Sequence, residues 1–274
     1  PYEGQEFCYP VAPKIQHSTQ ATSTAFLNGP EFDLPPYEGK PTSPYIICST
    51  ARSGSTLLCD LLAATKVLGV PHEYLNIPKH GRQLIERLCR NTPEPASREA
   101  YFEVIQRHRT SANGVFGLKA HINQCLVFFQ EGFLTGYFGE LQYIHIRRRD
   151  TLGQAFSMSI ASQTDSWTSH EKSTTTPQYS DERLRGEIST VLYHDYLWEQ
   201  FFTVNQIKPC TVFYEDLLEQ PNAEVGRVAN FLGVAEVPVV DLENTGLSRQ
   251  ATGVNDEWRQ RFNHGLRIGG ASSA

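Results

Sequence analysis

One stretch of the chain, residues 45–62, has the sequence YIICSTARSGSTLLCDLL and predicts the fold. Its first four residues are apolar, which is typical of a short buried strand. A loop of small and polar residues follows at 50–55. Leucines then recur at helical spacing, so a helix is expected to begin at Thr56. A strand, a small-residue loop and a helix in this order are typical of an α/β domain.

The same alternation continues along the chain. Further strands are predicted at 115–118, 143–146 and 210–214, and helices near 78–91 and 96–109 and over 151–161, 181–204 and 221–232. Strands that alternate with helices predict a P-loop-like, three-layer α/β fold with a central, mostly parallel sheet. Ligands of such sheets bind beyond the carboxyl ends of the strands. Most of the polar residues discussed below follow predicted strands.

Composition divides the 274-residue chain into an arm and one domain. Residues 1–43 are rich in Pro, Gly, Ser and Thr and are predicted to form an irregular N-terminal arm, and residues 44–274 form the domain. The polar residues near 163–180 are predicted to be a flexible insertion. The net charge of −6 disfavours general nucleic-acid binding. An acidic chain can still bind an anion where its arginines converge.

Several other classes of protein are disfavoured. No apolar run approaches the roughly 18 residues that span a bilayer, and the first residues lack a signal-peptide pattern. The six cysteines are scattered without a CxxC pair, which argues against structural zinc and fits a reducing cytoplasm. No residues show metal-ligand spacing, so we expect no metal site. The oligomeric state, including a homodimer, stays open.

The loop after the first strand is predicted to bind an anion. Its small residues let backbone N–H groups converge, and the helix N-terminus adds partial positive charge. The candidate ligand-binding residues are Arg52, Ser53, Gly54, Ser55 and Thr56. Ser55 stands where the Walker A pattern GxxxxGK[ST] requires Lys, so a nucleoside triphosphate with Mg²⁺ fits poorly. A serine-rich turn that binds no ligand is the alternative.

A second basic cluster, Arg147-Arg148-Arg149, follows the strand at 143–146 and precedes a helix that carries Ser157. An arginine at a strand end and a serine two turns into the next helix can face one phosphate group. A solvated basic turn offset by Asp150 is the alternative.

These segments resemble sulfotransferases that use 3′-phosphoadenosine-5′-phosphosulfate (PAPS), and most closely the bacterial Stf0, or trehalose 2-sulfotransferase-like, family. The resemblance rests on residues 45–58 followed by Gly-Val-Pro-His-Glu-Tyr at 69–74, and recurs at 114–124, at 143–157 and near 249–258. It implies transfer of a sulfuryl group from PAPS to an acceptor hydroxyl, which leaves 3′-phosphoadenosine-5′-phosphate (PAP). Likeness to the family favours a carbohydrate or glycolipid acceptor.

The resemblance also implies how PAPS is bound. It places the 5′-phosphosulfate on the loop at 52–56 and the 3′-phosphate at Arg148 and Ser157, although the choice among the three arginines stays open. Arg249 is implied as a further 3′-phosphate residue, with a surface arginine as the alternative. Tyr214 is implied to lie beside the adenine, where its ring could pack on the base. A core tyrosine at a strand end is the alternative.

The resemblance implies Glu73 as the general base that takes the acceptor's proton. An exposed loop Glu is the alternative, and His72 is the second candidate because imidazole titrates in the useful range. Lys119, at the end of the second strand, aligns with a Gly-Lys pair of the family and is expected to place charge near the transferring group. A lysine that snorkels to solvent is equally open.

Two other functions stay open on the sequence. A P-loop kinase or NTPase is disfavoured by the missing Walker lysine. A catalytically inactive PAP-binding module is disfavoured by Glu73. The acceptor itself is a small molecule or a glycan, and Tyr74, Phe128 and Trp167 are aromatic residues that could stack on it.

Overall fold

A parallel sheet lies at the centre of the computed structural model, which describes residues 27–90, 93–167, 175–240 and 253–266. Within these ranges four strands pair in the order β2-β1-β3-β4. They are β1 (Ser43–Ser49), β2 (Val115–His121), β3 (Gln142–Arg147) and β4 (Cys210–Phe213). All three pairings are parallel. The predicted α/β fold with a central parallel sheet is therefore confirmed.

Helices connect the strands and cover both faces of the sheet. In chain order they are α1 (Ser55–Ala64), α2 (Arg82–Leu88), α3 (Arg98–Arg109), α4 (Ile122–Gln130), α5 (Phe133–Phe138), α6 (Thr151–Thr164), α7 (Asp181–Val204), α8 (Tyr214–Glu219), α9 (Pro221–Phe231) and α10 (Gly253–Leu266). A 3₁₀ turn covers Pro30–Phe32, and a π-helical turn, Ile77–Gly81, leads into α2.

Three of the differences between the predicted and the observed element boundaries affect the site or its surroundings. β2 continues past Lys119 to His121, because β1 pairs with it along seven residues, from Ser43 opposite Val115 to Ser49 opposite His121. β4 ends at Phe213, and Tyr214 begins α8 instead of ending the strand. The helix expected near 78–91 is shorter, because a π-helical turn replaces its beginning and α2 ends at Leu88.

Alternating side chains of the central strand build a core on each face of the sheet. Tyr45 and Ile47 belong to one apolar cluster, which also contains residues of α1 and α9. Ile46 and Cys48 belong to the other, which contains residues of α2, α3, α4, α5 and α7. The period of two is that of a strand buried on both faces. Because all three pairings are parallel, the carboxyl ends of the four strands lie at the same edge of the sheet.

The described part of the N-terminal arm lies on the domain. The backbone N–H groups of Leu34 and Tyr37 donate to the carbonyls of His108 and Arg107 at the end of α3. Asp33 accepts two hydrogen bonds of 2.6 Å from Arg87, and its Oδ1 lies 3.0 Å from Nη2 of the fully buried Arg109. These contacts attach residues 27–42 to the domain, and residues 1–26 lie outside the described chain.

Three further expectations concern the insertion, the cysteines and membrane-spanning helices. The insertion expected near 163–180 begins inside α6, which extends to Thr164, and residues 168–174 lie outside the described ranges. The five described cysteines are buried and carry free thiols. No helix within the described ranges is long and apolar enough to cross a membrane.

Asp33→Ala is expected to destabilise the protein by about 3 kcal/mol, because it leaves the charge of Arg109 buried without its carboxylate. Glu38→Ala removes an exposed partner of Arg107 and should cost less than about 1 kcal/mol. Urea unfolding monitored by circular dichroism compares the two variants. Equal midpoints would show that Asp33 does not attach the arm.

Candidate active site

The loop between β1 and α1 has the backbone of an anion-binding turn. Arg52 and Gly54 adopt left-handed conformations, with φ of 64° and 89°, immediately before α1 begins at Ser55. This backbone directs N–H groups toward the space beyond the helix N-terminus. Ser53 is buried, and its Oγ has no hydrogen-bond partner among the described residues. The loop therefore retains an unused donor for a ligand.

Tyr214, at the first position of α8, lies directly against this loop. A Cβ atom added to Gly54 would come within 2.2 Å of Cδ2 of the Tyr214 ring. The centroid of the ring also lies 5.0 Å from the guanidinium carbon of Arg148. Tyr214 is thus close to both the loop after β1 and the basic cluster after β3.

The three consecutive arginines have different partners. Arg147 donates to Glu199 of α7 at 2.9 Å, and Arg149 makes two hydrogen bonds with Asp216, at 2.6 and 2.7 Å. Arg148 lies 3.8 Å from the carboxylate of Asp150, and its buried Nε has no hydrogen-bond partner within the described chain. Arg148 therefore has more donor capacity left for a phosphate than either neighbour.

Helix α6 brings Ser157 to the loop after β1. Arg52 Nε donates to Ser157 Oγ at 2.8 Å, and the guanidinium of Arg52 also donates to the carbonyl of Trp167. Gln154 of the same helix donates to the carbonyl of Ala51 at 2.8 Å. The side chain of Arg52 is thus directed toward α6, and Ser157 lies next to the loop.

A second arginine, Arg259 of α10, joins this region. It donates to Oδ2 of Asp150 at 2.5 Å, while Oδ1 of Asp150 accepts from the N–H of Gly153. Burial favours protonation of Asp150, but the hydrogen bonds from Arg259 and Gly153 and the charges of Arg259 and Arg148 hold its pKa below the ordinary value. Arg249, the residue expected here, lies outside the described ranges, and nothing in the motif analysis pointed to Arg259.

Glu73 and Lys119 form a mostly buried ion pair at the carboxyl end of β2. Lys119 Nζ donates to Oε1 of Glu73 at 2.5 Å, and the two side chains are 7% and 14% exposed. Gln124 and Asn76 donate to Oε2 at 2.9 and 3.4 Å. A bridge between His72 and Leu118 holds the Glu73 turn beside β2. Lys119 therefore does not snorkel to solvent.

Two histidines face the same carboxylate. Nε2 of His121 lies 3.9 Å from Oε1 of Glu73, and Nε2 of His80 lies 3.9 Å from Oε2. Burial favours the protonated carboxyl, but electrostatic interactions with Lys119, His121 and His80 and the hydrogen bond from Lys119 hold the pKa of Glu73 well below its ordinary value. Glu73 is thus a carboxylate at neutral pH.

Helix α7 covers the end of β1 between these two regions. Trp198 Nε1 donates to the carbonyl of Ser49 at 3.1 Å, and Thr50 Oγ1 donates to Asp195 at 2.5 Å. Sequence reasoning missed Asp195, His121 and Gln124. The segment 119–124 gave a signal for the last two, because polar residues recur there directly after the strand predicted at 115–118.

A cavity of about 360 Å³ opens at the ends of β3 and β4 beside α7. Its lining combines three arginines with acidic and aromatic residues, and it consists of Arg147, Arg148, Arg149, Thr151, Leu192, Asp195, Tyr196, Glu199 and Phe213.

Comparison with known proteins decides the family. A family model described as Stf0 sulphotransferase matches residues 44–265. The chain belongs to the Stf0 sulphotransferase family. The family resemblance inferred from the sequence is thereby confirmed, and the protein is a sulfotransferase.

This Stf0 chain is similar to two trehalose 2-sulfotransferases. The one from Mycobacterium tuberculosis (strain Erdman) is 27% identical over 257 residues, which cover 80% of this chain and 94% of the relative. The one from Mycolicibacterium smegmatis is 27% identical over 256 residues, with coverages of 80% and 93%. Among solved structures, the sulfotransferase domain from the curacin biosynthetic pathway is 16% identical with a TM-score of 0.48, and covers 77% of this chain and 80% of its own.

Two expectations for individual residues of this Stf0 chain are wrong. Tyr74 is fully buried and donates to the carbonyl of Val70, and Phe128 belongs to the apolar core, so neither can stack on an acceptor. His72, the second candidate base, is also buried. Burial, and after it the interaction with His80, lowers the pKa of its imidazole well below the ordinary value. Trp167 is half-buried and remains near the loop through its contact with Arg52.

Gly54→Ala should distort the loop, because the new Cβ would meet Tyr214 in a left-handed backbone. We expect a loss of at least about 1 kcal/mol in the free energy of unfolding. Gly136→Ala is the matched control, since this helical glycine has open space around it and should gain roughly 0.5–1 kcal/mol. Thermal denaturation of both variants decides. A Gly54→Ala protein as stable as the parent would refute the strained turn.

Proposed function

We propose that the protein transfers the sulfuryl group of PAPS to a hydroxyl of a carbohydrate or glycolipid acceptor, with Glu73 as general base and PAP as the second product. The observation that carries the proposal is the meeting of two sites at the ends of β1 and β2. The anion-binding turn follows Ser49 at the end of β1. The Glu73–Lys119 pair lies at the end of β2, the strand that pairs with β1. Such a pair of sites fits transfer of an anionic group to a hydroxyl.

The residues present fit PAPS as the donor. The buried Oγ of Ser53 and Nε of Arg148 lack partners among the described residues, and both belong to groups that bind phosphate and sulfate. Gly54, Ser55 and Thr56 would hold the 5′-phosphosulfate together with Ser53, and Arg52 would supply charge there. When bound, PAPS supplies the sulfuryl group and a stable phosphate leaving group.

The 3′-phosphate of the donor is proposed to lie between Arg148 and Ser157. Arg148 has spare donors, and Ser157 is held next to the loop by Arg52. Tyr214 would offer its ring to the adenine, since it lies between Gly54 and Arg148. Arg249 stays a proposal on the family resemblance alone.

Glu73 is proposed to receive the acceptor's proton, and Lys119 to neutralise charge as the acceptor oxygen attacks sulfur. A base must be unprotonated before it acts. The pKa of Glu73 is lowered although burial raises it, and this keeps the carboxylate unprotonated. Lys119 Nζ, 2.5 Å from Oε1, would also hold the carboxylate in one orientation.

The acceptor class is proposed from the relatives, which are named trehalose 2-sulfotransferases. We propose further that residues 44–274 form the sulfotransferase domain and residues 1–43 an arm on it, and that the protein acts in the cytoplasm. The buried free thiols of the described cysteines support a reducing compartment.

PAP should stabilise the protein more than adenosine 5′-phosphate does, because only PAP carries the 3′-phosphate. At 100 times its Kd, PAP should add about 2.7 kcal/mol to the free energy of unfolding.

Arg148→Gln should weaken PAP binding by roughly 10- to 100-fold, the worth of a hydrogen bond to a charged group. Arg149→Gln should change PAP binding little, because the side chain of Arg149 pairs with Asp216. Calorimetric titration with both nucleotides tests this, and equal affinities for both would remove the 3′-phosphate site.

Glu73→Gln should lower kcat by roughly 10²–10⁴, because it removes the base while keeping the size of the side chain. PAP affinity should stay within a few-fold, since Glu73 faces the acceptor. The measurement is kcat with radiolabelled PAPS at saturation and trehalose or an extract of candidate glycans as acceptor. Glu86→Gln on the exposed face of α2 is the control. A Glu73→Gln enzyme with parental kcat would exclude Glu73 as the base.

A further inference from the structure

His121 occupies a position that no assignment above uses. It is the last residue of β2 and lies opposite Ser49, the last residue of β1, after which the anion-binding turn begins at Thr50. Its side chain is 18% exposed, so the ring borders both the protein interior and the open end of the sheet. The pairing of the two strands therefore holds an imidazole at the start of the loop.

The hydrogen bonds of His121 fix its tautomer. Nδ1 lies 3.2 Å from the carbonyl oxygen of Ser49 and 3.1 Å from its hydroxyl oxygen. A carbonyl oxygen can only accept, and the Ser49 hydroxyl already donates to the carbonyl of Ala120 at 3.2 Å. Nδ1 must therefore carry the hydrogen. Nε2 is left with its lone pair, and this is the nitrogen that faces Glu73.

The separation of His121 and Glu73 allows one hydroxyl oxygen to contact both. Nε2 and Oε1 are 3.9 Å apart, too far for a direct hydrogen bond. An oxygen atom beside the line that joins them can lie about 2.8 Å from each, an ordinary hydrogen-bond length. An acceptor hydroxyl placed there contacts both groups at once.

Glu73 is a poor final site for the proton. Lys119 and Gln124 hold its two oxygens as a carboxylate, so a neutral Glu73 carboxyl would lose interactions with both. Nε2 of His121 offers a basic lone pair 3.9 Å from Oε1, the oxygen that Lys119 contacts. Burial lowers the pKa of His121, as do Lys119 and His194 of α7, while Glu73 and the Ser49 carbonyl raise it. The ring is thus neutral and able to accept a proton at neutral pH.

We propose that His121 is a second catalytic base, on which the acceptor's proton comes to rest after Glu73 has received it. This rests on the proposed function. The acceptor O–H bond breaks as its oxygen bonds to sulfur, and the sulfur–oxygen bond to the leaving phosphate breaks with its electron pair on that phosphate. The proton passes from Oε1 of Glu73 to Nε2 of His121 through one bridging water molecule, since 3.9 Å is too far for direct transfer, and the imidazolium then releases it to solvent.

The kinetic test uses His121→Asn. Asparagine keeps a donor where Nδ1 lies and is a favoured N-cap for α4, which begins at Ile122, but it has no base in place of Nε2. In the parent, kcat should fall as pH drops through the pKa of His121, below the ordinary histidine value. In His121→Asn the plateau should fall by roughly 10²-fold, the low end of acid–base catalysis, and this acid limb should vanish. His108→Gln on α3 is the control.

A second measurement works without turnover. Histidine ring NMR of the parent should show His121 with hydrogen on Nδ1 alone, and Glu73→Gln should lower its titration midpoint, because a negative charge that stabilises the imidazolium is gone. Hydrogen on Nε2, or a midpoint indifferent to Glu73, overturns the proposal. So does an acid limb that disappears in His80→Gln and persists in His121→Asn. An inactive parent with the expected NMR titration would refute the proposed function while leaving the His121 geometry intact.

Discussion

The parallel pairing of β1 with β2 is the constraint on which the site depends. Seven consecutive residue pairs align the two strands, so that Ser49 and His121 end together. The loop that begins at Thr50 leaves one strand at this point, and Lys119 lies two residues before the end of the other. A shift of one residue would turn Lys119 to the opposite face of the sheet and separate it from Glu73. Both faces are packed with apolar side chains, which makes such a shift costly.

Electrostatic compensation explains why so many polar residues surround one carboxylate. Taking a charge out of water is costly unless it is paired and hydrogen-bonded. Glu73 meets this requirement with a lysine and two amides, which come from the end of β2, from α4 and from its own turn. The same groups set its protonation state. The groups that compensate the buried charge of Glu73 thus also keep it ionised.

The sequence was sufficient to predict the fold and the position of the loop, because both depend on local patterns. The apolar run at 45–48, the small-residue turn and the leucine spacing are each readable within a few residues. Lys119 and Glu73 could be placed near each other only through the family resemblance, since 46 residues separate them in the chain. Their direct ion pair depends on the return of the chain beside β2.

Other features could not be predicted because they depend on tertiary packing. Tyr74 and Phe128 are aromatic, as ligand-stacking residues often are, but both are buried in the core. The distinction among the three arginines also requires the partners Glu199 and Asp216, which come from α7 and α8. Arg259 had no motif around it that indicated a role beside Asp150.

The position of Asp150 has a consequence for selectivity among anions. Its carboxylate hydrogen-bonds Arg259 and lies 3.8 Å from Arg148, and thus acts as a tethered anion inside the basic region. A tethered group competes at a high effective concentration that dilution cannot reduce. A singly charged ligand gains little by replacing it, whereas a doubly charged phosphate offers more charge and more acceptor oxygens. The carboxylate of Asp150 would thus compete with the phosphate that is proposed to bind at Arg148.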